Sequence, residues 1–581
     1  MKYLVASFSI VAAVLSTVAK PPAVGECAPK ALVVMLDGMR ADTIDNGLAP
    51  NIKSLADGKW QPGYQGAWTL CANTLRDGTT ESAPNHVAIA TGMTVKKTGI
   101  DSNYDLIVKG TTTDKLPTWL ARLKLPSTIY QLHNGSPRTA RPTNHQLPTT
   151  NSFKPLHIFA WYADLRLSPD YGVQFIFDRD KANAKTLVKM MGDADAPDAI
   201  MWYIDLPDHA GHGHCYYPYS KPYMDAVRES DRYVGEVLAA IAARPTFAQE
   251  DWLVVITADH GGWERSHGQM STQCYTIPFI VAGRRVSQGR IPGVPHNYDA
   301  APTALAHFGV DVSKIDFDGQ VRGGEVATTP KARALTDGLA VYLPFSDGVA
   351  VNKGYSDVVA ELYGKAAPIA DGAIGGGLRV SASTISAGGV CLKGSENLKF
   401  ENGAEFGFAV WVRTFGPQTG DPVVFGNKNW AAGSNPGVLL TASRGVDMSR
   451  VCPAHYDVQK RGKSPGFMFN CGRTGKRRED LGVYNPDFGQ WTFYAATRGA
   501  DGVVRFYQGR RDGQLYCVAD DLSDIAFETR LPFGIGQDGR GVAEYTFVGD
   551  VDEFAIWTRT LAHEEVWRIF KAGLDGKGLP K

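Results

Sequence analysis

The chain has no surplus of either charge: its 581 residues hold 60 lysines and arginines against 60 aspartates and glutamates, a formal net charge of zero. That balance excludes a protein drawn by its overall field to duplex nucleic acid or to an anionic membrane, so any selectivity for an anionic ligand has to be built locally. Long apolar runs are also scarce. One lies at the start, residues 4–19, between Lys2 and the Pro21-Pro22 pair, with the small residues Thr17 and Ala19 near its end. This is the pattern of a signal peptide over residues 1–19 and predicts a secreted, periplasmic or extracellular protein. No later run is long enough to span a bilayer, so no transmembrane segment is expected. Cysteine is sparse but even in number: Cys27, Cys71, Cys215 and Cys274 fall in the first part of the chain, and Cys391, Cys452, Cys471 and Cys517 in the second. Even counts in an exported chain permit closed disulfides within each part, and Cys215 and Cys274, each a few residues from an acid-and-histidine motif, are predicted as a pair.

A chain of this length exceeds what one hydrophobic core usually serves, so two domains are expected. Continuous apolar runs at 31–36, 199–205, 252–257 and 277–281 read as buried strands, and amphipathic stretches at 49–55 and 223–243 read as helices. Such alternation predicts an α/β domain, a parallel sheet with helices on both faces, over residues 28–325. Functional groups gather at the carboxyl ends of strands in such sheets, and Asp37, Asp205 with Asp208, and Asp259 all stand there. After Phe308 the chain turns polar and aperiodic; 326–335 reads as a linker and 336–575 as an all-β sandwich rich in glycine turns.

Four segments carry the chemistry: Asp37-Gly38; Ser82-Ala83-Pro84-Asn85-His86; Asp208-His209-Ala210-Gly211-His212; and Asp259-His260-Gly261-Gly262 with Ser266-His267-Gly268. Mixed carboxylate and imidazole ligands suit Zn²⁺ or a similar divalent ion, a Lewis acid fit for phosphate ester hydrolysis. In order and spacing these segments resemble the nucleotide pyrophosphatase/phosphodiesterase branch of the alkaline phosphatase superfamily. The similarity includes Thr91-Gly92 after the nucleophile loop and Tyr203 ahead of Pro207-Asp208. The resemblance implies an alkaline phosphatase-like fold and two divalent ions. Asp37, Asp259, His260 and the Ser82 oxygen would hold one, and Asp208, His212 and His267 the other, with His296 the competitor for the last place and His209 and His214 at the rim. It also implies that Ser82 is the nucleophile, passing through a phosphoseryl intermediate, and that Asn103 donates to the phosphate oxygens.

The chain departs from that family in having Ser82 where threonine is usual and Thr98 where histidine is usual, which weakens the diester assignment and keeps phosphomonoesterase and phosphonate hydrolase readings open. Sulfatases share the fold, but His86 stands where their modification signal places arginine. The second part resembles laminin G-like, concanavalin-like sandwiches at 338–345, 406–412, 490–494, 504–509 and 550–557, followed by a helix at 564–570. It implies a carbohydrate or cell-surface contact, and a binding protein with a degenerate site is the alternative from another class. Asp550 and Asp552 are candidate Ca²⁺ ligands there. The partner expected of the first domain is a small-molecule, glycan-linked or lipid-linked phosphate ester, with its alcohol chosen by wall segments between 104 and 198, where Arg138 or Arg141 could add positive charge.

Overall fold

Seven consecutive buried residues, 30–36, leave no solvated face on the first strand, as a strand in the middle of a covered sheet requires. The computed structural model describes residues 27–579 apart from 110–116, 125–153, 168–173, 325–332, 448–462, 473–477, 485–488, 523–526 and breaks of one to three residues. The expected signal peptide, Arg138 and Arg141 lie outside the described residues. The first sheet is built from β1 (Ala28–Leu36), β2 (Gln65–Asn73), β3 (Pro155–Phe159), β4 (Gln174–Phe177), β5 (Ala199–Ile204), β6 (Glu250–Thr257), β7 (Thr276–Gly283) and β8 (Gly289–Arg290). Their order is β4-β3-β5-β1-β6-β7-β2-β8. Strands β4, β3, β5, β1 and β6 run parallel, but β7 is antiparallel to both β6 and β2, so the sheet is mixed where a purely parallel one was expected. The reason is the connection: a parallel return needs a crossover, usually a helix, and the β6 to β7 link carries only the short helix Thr272–Tyr275 among its described residues.

Helix Lys221–Ala242 packs with Pro50–Ala56 and Asp180–Gly192, while Ala300–His307 packs on β1 and β6 beside Ser82–Thr91 and Trp119–Lys124. The core between these layers includes the fully buried Trp119, Trp202 and Trp252.

The second part is an antiparallel β-sandwich. Its central strand Phe406–Thr414 pairs with Trp491–Arg498 on one side and Gly549–Trp557 on the other. Alternation decides its two faces: Phe408, Val410 and Val412 enter the core between the sheets, while Ala409 and Trp411 face the other way, under helix His563–Leu574. Trp411 stacks on Phe570 with ring centroids 6.0 Å apart. Strand Leu515–Asp521 of the sandwich lies against β2 and helix Thr272–Tyr275, and Arg290 meets Glu564 at 3.3 Å.

The two candidate Ca²⁺ ligands are buried rather than solvated edge acids. Asp550 is paired with Arg379 and, at 2.7 Å, with Arg413. Asp552 accepts the Ile374 N–H at 2.9 Å and the Glu553 N–H at 2.8 Å, and burial pushes its carboxyl up to about 8. Among the described residues no group of three ligating side chains gathers around them. The expected Cys215–Cys274 bridge is corrected as well: Cys274 carries a thiol, whereas Cys215 is disulfide-bonded, so its bridge runs to another cysteine. Nearness of each to a metal motif along the chain did not bring the two sulfurs together.

No helix among the described residues is long and apolar enough to cross a membrane.

Candidate metal centre and active site

Strands β1 and β6 lie side by side and deliver their acids to one place. Asp37 follows the end of β1, and its Oδ2 accepts the Tyr203 hydroxyl at 2.5 Å. Gly38 follows with φ +65°, and a Cβ there would come within 2.8 Å of the Asp208 Cα, so glycine is needed for both conformation and space. Past β6, Asp259 Oδ1 accepts the Gly38 and His260 backbone N–H groups at 3.1 and 2.8 Å. His260 Nδ1 is 2.6 Å from the Gly261 carbonyl, to which it donates, leaving Nε2 as the ring's ligand atom. That Nε2 lies 3.1 Å from Asp37 Oδ1, 3.3 Å from Asp259 Oδ2 and 3.2 Å from Ser82 Oγ.

Ser82 opens the helix Ser82–Thr91 rather than ending a strand. Asn103, at the start of helix Asn103–Lys109, accepts the Ala83 N–H on Oδ1 at 2.8 Å, and its own N–H donates to Glu81 Oε2 at 2.7 Å. With Oδ1 taken, the side-chain amide has Nδ2 to offer a ligand.

Asp208 and His212 sit one turn apart on helix Leu206–His214, with Asp208 Oδ2 3.5 Å from His212 Nε2. His267 Nδ1 lies 2.8 Å from the Thr80 carbonyl, which directs its Nε2 to within 3.1 Å of His212 Nε2 and 3.7 Å of Asp208 Oδ1. The ligand atoms of Asp208, His212 and His267 lie within 4.8 Å of one another, as do those of Asp37, Asp208 and His260. His296, the competitor, stacks on Tyr298 and caps a short turn at Asn297–Asp299, outside these groups. His209 and His214 are exposed and also outside them.

Two residues of the centre were not assigned from sequence. His86, fully buried, holds Asp164 Oδ1 at 2.8 Å through Nδ1 and points Nε2 at Asp259 Oδ2, 3.3 Å away, and Asp37 Oδ2, 3.7 Å away. Asp164 comes from the turn Tyr162–Arg166 past β3, inside the stretch in which no motif was legible. The rule that found Asp37, an acid beyond the carboxyl end of a buried strand, would have found it had β3 been recognised. Replacing Asp164 by Ala leaves a buried imidazole without its partner; we expect a loss of about 3 kcal/mol, the scale for breaking a buried pair, read as a lower urea midpoint. An unchanged midpoint would contradict the pairing.

The electrostatics fit a cation. Burial and the neighbouring Asp37 push the Asp208 and Asp259 carboxyls up. Burial works against charge on His260 too, yet Asp259 and Asp37 drive its imidazole up to about 10. Burial and His260 take His267 down to about 3, so it is a neutral ring able to ligate. Asp37 Oδ1, Asp259 Oδ2 and His86 Nε2 are buried without a hydrogen-bond partner. Three carboxylates crowded this closely, two of them with an orphaned oxygen, are what a divalent ion would satisfy.

Residues 31–269 match the family model of type I phosphodiesterase / nucleotide pyrophosphatase. The first domain belongs to the alkaline phosphatase superfamily. Beyond this hydrolase domain, residues 386–567 match the concanavalin A-like lectin/glucanases superfamily. Among solved structures, the chain is similar to a 2-O GAG sulfatase at 13% identity and TM-score 0.37, covering 63% of this chain and 83% of that one. It is similar to an alkaline phosphatase superfamily protein from Vibrio parahaemolyticus at 14% identity and TM-score 0.35, covering 52% and 71%. It is also similar to a botulinum neurotoxin type C structure at 11% identity and TM-score 0.31, covering 41% of this chain and about half, 52%, of that one. The superfamily's hydrolases are metal-dependent, in keeping with the ligand set gathered here.

Proposed function

We propose that the protein is an exported, two-metal phosphodiesterase or nucleotide pyrophosphatase in which Ser82 is the nucleophile. The observation that carries the reading is the position of Ser82 Oγ, 3.2 Å from His260 Nε2, at the head of a helix and beside Asn103. Asp37, Asp259, His260 and Ser82 would hold one ion, and Asp208, His212 and His267 the other. When bound, a pair of divalent ions, Zn²⁺ by the donor set, supplies Lewis acidity and lowers the cost of deprotonating a hydroxyl.

The chain's own groups do the rest. Ser82 Oγ forms a bond to phosphorus as the bond to one alcohol breaks, that alcohol leaving with the serine's proton; the second alcohol stays on the phosphoseryl intermediate, which water hydrolyses, releasing a phosphate monoester and returning a proton to Ser82 Oγ. Asn103 Nδ2 donates to a non-bridging oxygen. Tyr203 holds the Asp37 carboxylate in place from behind, and His86, anchored by Asp164, sets its ring beside Asp37 and Asp259.

Charge favours a diester. A monoester dianion carries one more charged oxygen and calls for an added cation, yet the charge bound beside Asn103 is the Glu81 carboxylate. Catalytic efficiency on bis-nitrophenyl phosphate is expected to exceed that on mono-nitrophenyl phosphate, sulfate and phosphonate by tenfold or more. A tenfold preference for the monoester, about 1.4 kcal/mol in transition-state binding, would move the assignment to phosphomonoesterase, and a sulfate preference would move it to sulfatase.

The concanavalin-like domain is proposed to bring the enzyme to a glycan or cell surface. If export is right, mature protein collected outside the cytoplasm begins after Ala19; protein retained inside with its first residues intact would oppose it.

A further inference from the structure

We propose that Tyr216 is a positioning residue for the second metal site, a role that rests on the two-metal reading above. Its hydroxyl donates to Asp208 Oδ1, and the ring is fully buried. The other carboxylate oxygen, Oδ2, lies 3.5 Å from His212 Nε2, while Oδ1 itself is 3.7 Å from His267 Nε2 and 3.8 Å from His260 Nε2. A carboxylate on a free side-chain torsion can present either oxygen; the phenol occupies one and leaves the other to ligate.

The packing around the ring argues that this contact is built in. A Cβ at Gly38 would meet Tyr216 Cε1 at 2.9 Å, one at Gly211 would meet Cε1 at 2.4 Å, and one at Gly262 would meet Cγ at 2.1 Å. These glycines lie within two residues of Asp37, His212 and His260, so three ligand-bearing segments close on one ring. The ring also lies 5.5 Å from His212, 6.2 Å from His267 and 6.5 Å from His260 between centroids. Its backbone is fixed from the other side: the preceding Cys215 adopts φ +80°, is disulfide-bonded, and donates its N–H to the Gly211 carbonyl at 2.7 Å. Tyr216 therefore links the geometry of both sites.

The test is Tyr216→Phe in the full-length protein, which removes the oxygen and keeps the ring. Zinc affinity is measured for each equivalent by competition with a chelator, and the absorption of the cobalt-substituted protein reports the ligand field. We expect one of the two equivalents to weaken by about 10- to 100-fold, the usual effect of losing a hydrogen-bond partner of a metal ligand, with the other unchanged and the cobalt spectrum shifted. Loss of melting temperature with wild-type zinc affinity and spectrum for both equivalents would show a structural role only and overturn the proposal. If the variant does not fold, Tyr216→Leu in the presence of zinc, which also lacks the hydroxyl and fits the enclosed space, replaces it: the same selective loss supports the role, and two equivalents at wild-type affinity overturn it. A wild-type protein that takes up no zinc or cobalt overturns the underlying two-metal reading along with this one.

Discussion

Ser82→Ala is expected to lower kcat by about 10⁴-fold or more, about 5.4 kcal/mol of transition-state stabilisation, while zinc content and melting temperature stay near those of the wild type. The expectation follows from where the hydroxyl stands. It neighbours His260 Nε2 at 3.2 Å, and the methyl left behind opens no void in the core, because Ser82 lies at the head of its helix, where 7% of its surface still reaches solvent. The neighbouring threonines are engaged elsewhere: Thr80 Oγ1 accepts the Gly268 N–H at 2.8 Å, and Thr79 accepts the Glu81 N–H at 3.2 Å. Wild-type rates in the variant would make one of them, or water, the attacking group and would end the phosphoserine mechanism.

Stripping the metals should remove turnover and also loosen the first domain. Without cations Asp37, Asp208 and Asp259 face one another in a region closed to solvent, with Asp37 at 2% and Asp259 at 0% exposure. A ligand present at about a thousand times its dissociation constant stabilises the folded state by about 4 kcal/mol, and for a domain of this size each kcal/mol moves the melting temperature by roughly 2 to 4 °C. Removal is therefore expected to lower melting by roughly 10 °C, with recovery on adding zinc. Asp208→Ala and His267→Ala should each lower metal content. Metal analysis with calorimetry decides the matter: a metal content near zero in active protein, with activity surviving a chelator, would refute the centre.

The legible part of the molecule is the part whose physics is local. Strands β1, β5 and β6 are continuous apolar runs because both faces are covered, and the acids just past their ends follow from sheet geometry. The alternation in Phe406–Thr414 similarly shows a strand with two different faces. What depended on distant partners was not legible. Strand β3 is only five residues long, and Asp164 acquires meaning only from His86, 78 positions earlier. Tyr216 looks like an ordinary aromatic until three glycines from separate segments are seen to close on it. The direction of β7 could have been read, since among the described residues no long helix separates it from β6. The cysteine pairing could not, because closeness along the chain to two ligands says nothing about which sulfurs meet.

The unequal burial of the two ligand sets bears on how the ions come and go. Asp37, Asp259 and His260 are sealed from solvent, while His212 is exposed, with 46% of its side-chain surface accessible. On the two-metal reading, an ion in the inner position would leave through local opening of the fold, whereas one in the outer position would meet water directly. Exchange against an isotopically labelled metal should therefore be biphasic, with the outer equivalent labelling quickly and the inner one at the pace of breathing motions. Reloading of stripped protein should follow the same order, the outer position filling on contact with metal and the inner one only as fast as the fold opens around it.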